Sequence, residues 1–328
     1  MSRAGFNRAT ALATATMTLA AEAPDLDTLW LFKGPVVGFA HHRGFTHSFL
    51  GLIAVAALVT GFMYVVWRLK GKRTNIANLP PRWGLLFGLA YLAGLSHILL
   101  DFTNNYGVRP FWPFSERWHS WDIVSIIEPA LYLFLLLGLL VPELVSRHKP
   151  LPRGLAAARV ALVCMAGLYA LRDYEHRHAL HAVENKAFAY DRFQPERPVR
   201  SSAYPYMWTV FRWHAVAEAR DFFVSSDVDS RSEELNPAET EFFPKPAETP
   251  AIGAAKRTHL GRVYLDWASY PWVTETSSGE DAIVYFRDLR FARPLRATIA
   301  LSGLVELNKN LEIVREQFAS REQRPPLD

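Results

Sequence analysis

The feature that most constrains this chain is a set of long apolar segments that carry almost no charge. The clearest, Phe49–Trp67, has 19 residues without a charged side chain, enough to cross about 30 Å of hydrocarbon at about 1.5 Å per residue. Trp83–Leu100, Ile123–Val141 and Leu155–Leu171 have the same character, and Ala9–Ala21 is a weaker fifth candidate. The sequence therefore predicts an α-helical membrane bundle of about five transmembrane helices.

The average composition conceals this organisation. The 328 residues are 50% hydrophobic with a formal charge of +4, and the single cysteine, Cys164, excludes a disulfide scaffold. Residues 1–171 contain 15 Lys and Arg against 8 Asp and Glu, whereas the rest contains 21 against 24. Basic residues follow the first and third strong segments, at Arg68–Arg82 and Arg147–Arg153. This bias predicts cytoplasmic loops, so the basic excess indicates membrane topology and not a nucleic-acid partner for the membrane half.

The same rule orients the chain. Arg3 and Arg8 predict a cytoplasmic N-terminus, and five helices then leave the C-terminal part outside a bacterial inner membrane. Ala21-Glu22-Ala23 loosely resembles a signal-peptidase site, but the preceding segment lacks a leucine-rich middle, which favours an uncleaved first helix.

Two domains are predicted, a transmembrane domain over residues 1–172 and a small β-rich extracytoplasmic domain over residues 173–328. The second domain opens with a polar helix around Asp173–Ala189. Runs enriched in aromatic and β-branched residues, typical of strands, follow at Tyr206–Ala217, Asp221–Ser226, Arg262–Ala268, Ala282–Phe286 and Leu295–Val305.

Three polar elements lie at the segment ends that should face outside. They are Pro24-Asp25-Leu26-Asp27, the run His41-His42-Arg43-Gly44-Phe45-Thr46-His47-Ser48, and His97-Ile98-Leu99-Leu100-Asp101. The i, i+4 spacing of His97 and Asp101 puts an imidazole and a carboxylate on one helix face, about 6 Å apart. Together the elements offer six nitrogen and oxygen ligands for a divalent metal: Asp25, Asp27, His42, His47, His97 and Asp101.

These ligand types predict a chemistry. Without a thiolate they suit Zn²⁺ or Mn²⁺, and six of them could hold one ion or two ions about 3.5–4 Å apart, the arrangement used in phosphoester hydrolysis. Such a site lowers the pKa of bound water, with Asp25 or Asp27 accepting the proton. Arg43 is suited to hold a phosphate through paired hydrogen bonds. We therefore expect a metal-dependent hydrolase in which Asp25, Asp27 and Arg43 are catalytic.

Each element alone has a plainer interpretation. Asp25 and Asp27 could be turn residues after a helix, Thr46 could be a helix N-cap, and either His41 or His42 could be the first ligand.

Two other classes of protein also compete with an enzyme. A haem protein could use His47 and His97 as axial ligands, although haem does not need the nearby carboxylates. A non-catalytic scaffold could use the metal for stability and its C-terminal domain for a partner. A further patch at His176, His178 and His181 has a spacing that fits a solvated helix face.

The order of the three elements, followed by Asn104-Asn105-Tyr106-Gly107 and Trp112-Pro113-Phe114-Ser115, resembles the YdjM-type predicted membrane-bound metal-dependent hydrolases. The resemblance is strong over residues 22–122 and weaker at Tyr204–Glu218 and Asp288–Phe291. It implies metal binding through the same six residues. It also suggests a distant likeness to zinc-dependent phospholipases C and P1-type nucleases, which use a His-X-X-X-Asp helix pair. That likeness implies a phosphoester substrate, and a lipid is the one nearest to a membrane face.

Overall fold

The computed structural model describes residues 1–69, 79–146, 153–191, 193–294, 296 and 298–323. The chain forms two compact units, Met1–Trp30 with His41–Leu171, and Leu31–Ala40 with Arg172–Asp328. The domain limits drawn from the sequence stay a prediction. Of the basic residues used to orient the chain, several lie outside the described residues: Lys70, Lys72, Arg73, Arg147 and Lys149.

The part of the chain before the strands is helical. Its helices are α1 (Ala13–Glu22), α2 (Pro35–His41), α3 (Phe49–Leu69), α4 (Trp83–Thr103), α5 (Pro129–Ser146) and α6 (Arg153–Glu184), with 3₁₀ segments at Ala23–Lys33 and Phe45–His47. Among the described residues, three helices are long and apolar enough to cross a membrane: α3, α4 and the Gly154–Glu184 part of α6. The apolar part of α5 is shorter, at Pro129–Leu144.

Five transmembrane helices are therefore not confirmed. The candidate segment at Ala9–Ala21 overlaps α1, whose ten residues give about 15 Å of helix, less than the roughly 20 residues of a typical transmembrane helix. Its buried side chains Ala13, Met17 and Ala20 pack in one apolar cluster with residues of α3 and α4. The segment predicted from Ile123 becomes helical only at Pro129, because proline suits the first helical position.

The start of α3 brings the histidine-rich run against the helix. Ser48 is the N-cap, since its hydroxyl accepts a hydrogen bond from the Gly51 amide at 2.9 Å. A Cβ atom at Gly51 would clash with the carbonyl oxygen of Phe45, so glycine is needed for this close approach. Thr46 is not the cap, because its hydroxyl donates to Asp27 Oδ2 at 3.3 Å.

The second unit is rich in β-structure, as predicted. The strands are β1 (Phe188–Tyr190), β2 (Phe193–Glu196), β3 (Arg200–Pro205), β4 (Arg212–Glu218), β5 (Phe222–Asp229), β6 (Glu234–Pro244), β7 (Pro271–Ser278), β8 (Asp281–Asp288), β9 (Thr298–Leu307) and β10 (Ile313–Gln323). Antiparallel pairing gives a sheet in the order β3-β4-β5-β6, a sheet in the order β10-β9-β8-β7 and the separate pair β1-β2. Two further helices precede β7: α7 (Pro250–Lys256) and α8 (His259–Trp267).

One predicted strand, Arg262–Ala268, is wrong because this segment belongs to helix α8. Thr258 caps the helix by accepting a hydrogen bond from the Gly261 amide at 3.1 Å. Leu260, Tyr264 and Trp267 are all buried on it, and their spacing is that of one helix face. Aromatic enrichment alone did not distinguish this face from a strand.

Candidate metal centre

Three elements of the first unit bring together one group of metal-ligating side chains. The 3₁₀ segment Ala23–Lys33 carries Asp25, the turn before α3 carries His47, and the last two turns of α4 carry His97 and Asp101. Each side chain offers one ligand atom, and all four atoms lie within 4.8 Å of one another. The His97–Asp101 pair thus converges as its helical spacing predicts.

The distances within this group are nearly uniform. His47 Nε2 lies 3.3 Å from His97 Nε2, 3.3 Å from Asp101 Oδ2 and 3.5 Å from Asp25 Oδ1. His97 Nε2 lies 3.3 Å from Asp101 Oδ2 and 3.4 Å from Asp25 Oδ1. Five of the six separations between the four atoms therefore fall between 3.3 and 3.5 Å.

These separations fit a divalent metal ion. A regular tetrahedron with edges near 3.4 Å has its centre about 2.1 Å from each corner, the distance at which imidazole nitrogen and carboxylate oxygen bind Zn²⁺. Asp101 Oδ2 is also buried without a hydrogen-bond donor, which is costly for a carboxylate oxygen. The arrangement does not fit a haem, because the two imidazole nitrogens converge with two carboxylate oxygens at one point.

The electrostatics of the group are dominated by its carboxylates. The His47 side chain is fully buried, which alone lowers its pKa, but the nearby carboxylates of Asp101, Asp25 and Asp27 outweigh burial and raise the pKa to about 10. Hydrogen bonds with His47 and His97 hold the pKa of Asp25 well below its usual range. The carboxylates therefore favour positive charge at this point, which a proton on His47 or a bound cation would supply.

Asp27 and His42, both predicted as ligands, lie beside this group and not in it. Burial raises the pKa of Asp27, but hydrogen bonds with His42 and His47 outweigh it and lower the pKa overall. Asp27 Oδ1 lies 3.0 Å from His42 Nδ1, and Asp27 Oδ2 lies 3.1 Å from His47 Nδ1. His41, the alternative to His42, stacks on Trp30 with ring centroids 4.3 Å apart.

Arg43, predicted to hold a phosphate, is buried and bonded to protein acceptors. Its guanidinium donates to Asp101 Oδ1 at 2.7 Å, to Asn104 Oδ1 at 3.2 Å and to the Gly107 carbonyl at 3.1 Å. It also lies over the Tyr106 ring, 4.7 Å from the centroid. In this arrangement the two terminal nitrogens of Arg43 are already engaged.

The role of the Asn104–Gly107 segment was not anticipated from chemistry. Gly107 has a φ of +86°, a conformation that favours glycine, and this turn directs its carbonyl to Arg43. Asn104 Oδ1 accepts from Arg43 and also from the Tyr106 amide at 2.9 Å. The signal was present in the Asn-Asn-Tyr-Gly motif itself, which carried the resemblance without a stated function.

The second unit contains another cluster of histidines and a carboxylate. His178 Nδ1 lies 2.6 Å from Glu233 Oε1, and His181 Nδ1 lies 2.7 Å from Glu233 Oε2. His176 lies apart from this pair, against Trp213, with ring centroids 5.2 Å apart.

The fold and site define an integral membrane protein with a candidate metal centre at the ends of its apolar helices. The chain belongs to the YdjM inner membrane protein family, whose family model matches residues 2–179. The uncharacterized protein YfhP of Bacillus subtilis (strain 168) is 28% identical over 130 residues, which are 39% of this chain and 36% of that protein. The match thus covers about a third of that relative's length. No solved structure matches the chain.

Proposed function

We propose that this protein is a metal-dependent hydrolase that acts on a phosphoester at the extracytoplasmic face of the membrane. The observation that carries the proposal is the group Asp25, His47, His97 and Asp101, with its uniform 3.3–3.5 Å separations. A Zn²⁺ or Mn²⁺ ion held by these residues would supply Lewis acidity and lower the pKa of water, the chemistry of phosphoester hydrolysis.

Exposure within the group indicates where a substrate would approach. The Asp25 side chain is 48% exposed, whereas His47 is fully buried and Asp101 is mostly buried. Water and a phosphoester can therefore reach the group from the Asp25 side. Asp25 is then the carboxylate placed to accept a proton from an attacking water, while the buried side chains hold their positions.

The apolar surroundings favour a lipid as the phosphoester. A groove of about 340 Å³ in the first unit is lined by aromatic and aliphatic side chains and opens beside the first turns of α3. Phe45, two residues before His47, contacts the Trp112 wall of this groove with ring centroids 5.3 Å apart. Phe111 and Phe114 of the same wall are exposed. Such a groove suits the acyl chain of a phospholipid whose phosphate lies at the polar group.

The location is inferred from charge. Arg68 and Arg82 flank the connection between α3 and α4, opposite the helix ends that carry the polar group. Because basic loops stay cytoplasmic, the group and the β-rich domain are assigned to the extracytoplasmic side and the N-terminus to the cytoplasm. The lipid bilayer is the expected partner.

One observation favours a second function, a non-catalytic scaffold stabilised by metal. Four protein ligands in a tetrahedron are typical of structural zinc sites, whereas catalytic sites keep one position for water. The exposed Asp25 carboxylate is what separates the two proposals, because a ligand that can move aside opens such a position.

The test is hydrolysis by detergent-purified protein loaded with Zn²⁺ or Mn²⁺, measured on a phosphomonoester, a phosphodiester and a phospholipid. We expect activity on the phospholipid that is lost in His97→Ala and Asp101→Ala and kept in His178→Ala. Bound metal with no hydrolysis of any of the three substrates would favour the non-catalytic scaffold over the hydrolase. Full metal retention in both site variants would show that His97 and Asp101 do not form a metal centre.

A further inference from the structure

We infer that the centre takes one divalent ion, and that Asp27 and Arg43 are positioning residues that orient its ligands. This inference rests on the proposed metal centre but not on hydrolysis. It assigns to Asp27 a role other than ligand and to Arg43 a role other than phosphate binding.

Both oxygens of Asp27 already have polar partners outside the group of four. Its Oδ1 lies 3.0 Å from His42 Nδ1, and its Oδ2 accepts from the Arg43 amide at 2.7 Å and lies 3.1 Å from His47 Nδ1. The side chain is 4% exposed. An acceptor at Nδ1 fixes the proton of His47 on that nitrogen, which leaves the Nε2 lone pair directed at the group of four.

Arg43 orients Asp101 by binding only one of its two carboxylate oxygens. Its guanidinium binds Oδ1 at 2.7 Å, whereas Oδ2 is buried without a hydrogen bond and faces both imidazoles at 3.3 Å. Asn104 and Gly107 hold the guanidinium in place. Asp101 is thereby prepared to bind an ion through Oδ2, and the cationic Arg43 at Oδ1 disfavours a second ion there.

The charges point to the same number of ions. Two carboxylate ligands, Asp25 and Asp101, neutralise one divalent ion bound by two neutral imidazoles. The positive charge of Arg43, which binds Asp101 Oδ1, and the negative charge of Asp27 cancel in the sum of charges around the group. The loaded centre is then neutral overall, as burial beside apolar helices requires. A second divalent ion would add two positive charges to this neutral group. Asp27 and Asp101 Oδ1 would not offset them, because both already bind other groups of the protein.

The first test uses the full-length wild-type protein in detergent, loaded with Zn²⁺. We expect one zinc per chain by elemental analysis. X-ray absorption should show nitrogen and oxygen neighbours at about 2.0–2.1 Å and no metal neighbour at about 3.5–4 Å. Two ions per chain, or a zinc–zinc distance in that range, would overturn the inference while leaving a metal centre in place. Absence of zinc would instead overturn the proposed centre itself.

The second test compares Asp27→Asn and Arg43→Gln by Co²⁺ titration, with Asp173→Asn as a control carboxylate that lies away from the metal centre and pairs with Arg177. Each positioning variant should still bind one Co²⁺, with affinity reduced about 10- to 100-fold and a shifted visible absorption spectrum. Asp173→Asn should change neither. If Asp27→Asn bound one Co²⁺ ion fewer per chain, and bound any remaining ion with unchanged affinity, Asp27 would be a metal ligand. If a variant does not fold, the wild-type absorption measurement still decides the number of ions.

Discussion

Two clusters in the described part of the chain combine histidines with carboxylates, yet their geometry differs. In the first unit, His47 Nε2 and His97 Nε2 lie 3.3–3.5 Å from both Asp25 and Asp101. In the second, each imidazole pairs with its own oxygen of Glu233, at 2.6 and 2.7 Å. The first spacing is that of ligands around a shared centre, whereas the second is that of two hydrogen bonds. Residue type alone does not distinguish them.

Burial separates the clusters further. His47 is fully buried and Asp101 Oδ2 has no hydrogen-bond donor, so a cation would satisfy an otherwise costly arrangement. In the second cluster the His181 side chain is 66% exposed, and both oxygens of Glu233 already have partners. The comparison predicts that metal-dependent behaviour belongs to the first cluster.

The largest expected effect concerns the ion pairs beside each cluster. Arg43→Gln removes the partner of the buried Asp101 carboxylate and should lower the unfolding free energy of metal-free protein by about 3–5 kcal/mol. Arg177→Gln removes the exposed partner of Asp173 and should cost about 0–1 kcal/mol. Chemical unfolding of both variants in one detergent measures this difference. Equal costs would show that the first cluster is not a buried charged network.

The next effect is on metal affinity. Structural zinc binding of about 10–16 kcal/mol, shared by four ligands, assigns about 2.5–4 kcal/mol to each. His97→Ala should therefore weaken Zn²⁺ binding by about 100- to 1000-fold, whereas His178→Ala should leave it unchanged. Competition with a chromophoric chelator measures both affinities. Equal losses in the two variants would contradict the distinction between the clusters.

A smaller effect is expected for the exposed ligand. Asp25→Asn keeps the shape of the side chain but removes its charge, and the carboxylate is half exposed. We expect Zn²⁺ affinity to fall by about 10- to 100-fold, or about 1.4–2.7 kcal/mol, less than for His97→Ala. The same chelator competition applies. A loss larger than that of His97→Ala would show that Asp25 is not the weaker, movable ligand.

The smallest effect belongs to Glu233→Gln. Its hydrogen bonds to His178 and His181 lie at the surface of the second unit, where water can replace them. We expect unchanged zinc content and a melting temperature close to that of the wild type, by elemental analysis and thermal unfolding. Loss of zinc in this variant would move the metal site to the second cluster.

The sequence predicted the part of the candidate group that depends on local spacing. His97 and Asp101 converge because residues four apart share a helix face. The division of roles within Pro24-Asp25-Leu26-Asp27 was not predictable, since one carboxylate reaches the group and the other binds His42 and Arg43. That outcome depends on how separate elements pack, which no spacing within one element encodes.

In the fold, too, features set by local sequence were predicted, whereas features set by packing between helices were not. The apolar segments of α3 and α4 were predicted nearly to their ends, because long uncharged runs have few alternatives. The bounds of α1 were not predicted. Its Ala- and Thr-rich sequence has a weak apolar pattern, and its position depends on packing against α3 and α4.

The most direct test of the central claim is anomalous diffraction at the zinc absorption edge from crystals of the zinc-loaded full-length chain. The account predicts a single peak about 2.1 Å from His47 Nε2, His97 Nε2, Asp25 Oδ1 and Asp101 Oδ2. No peak among these atoms, or a peak at the His178–His181–Glu233 cluster instead, would contradict it.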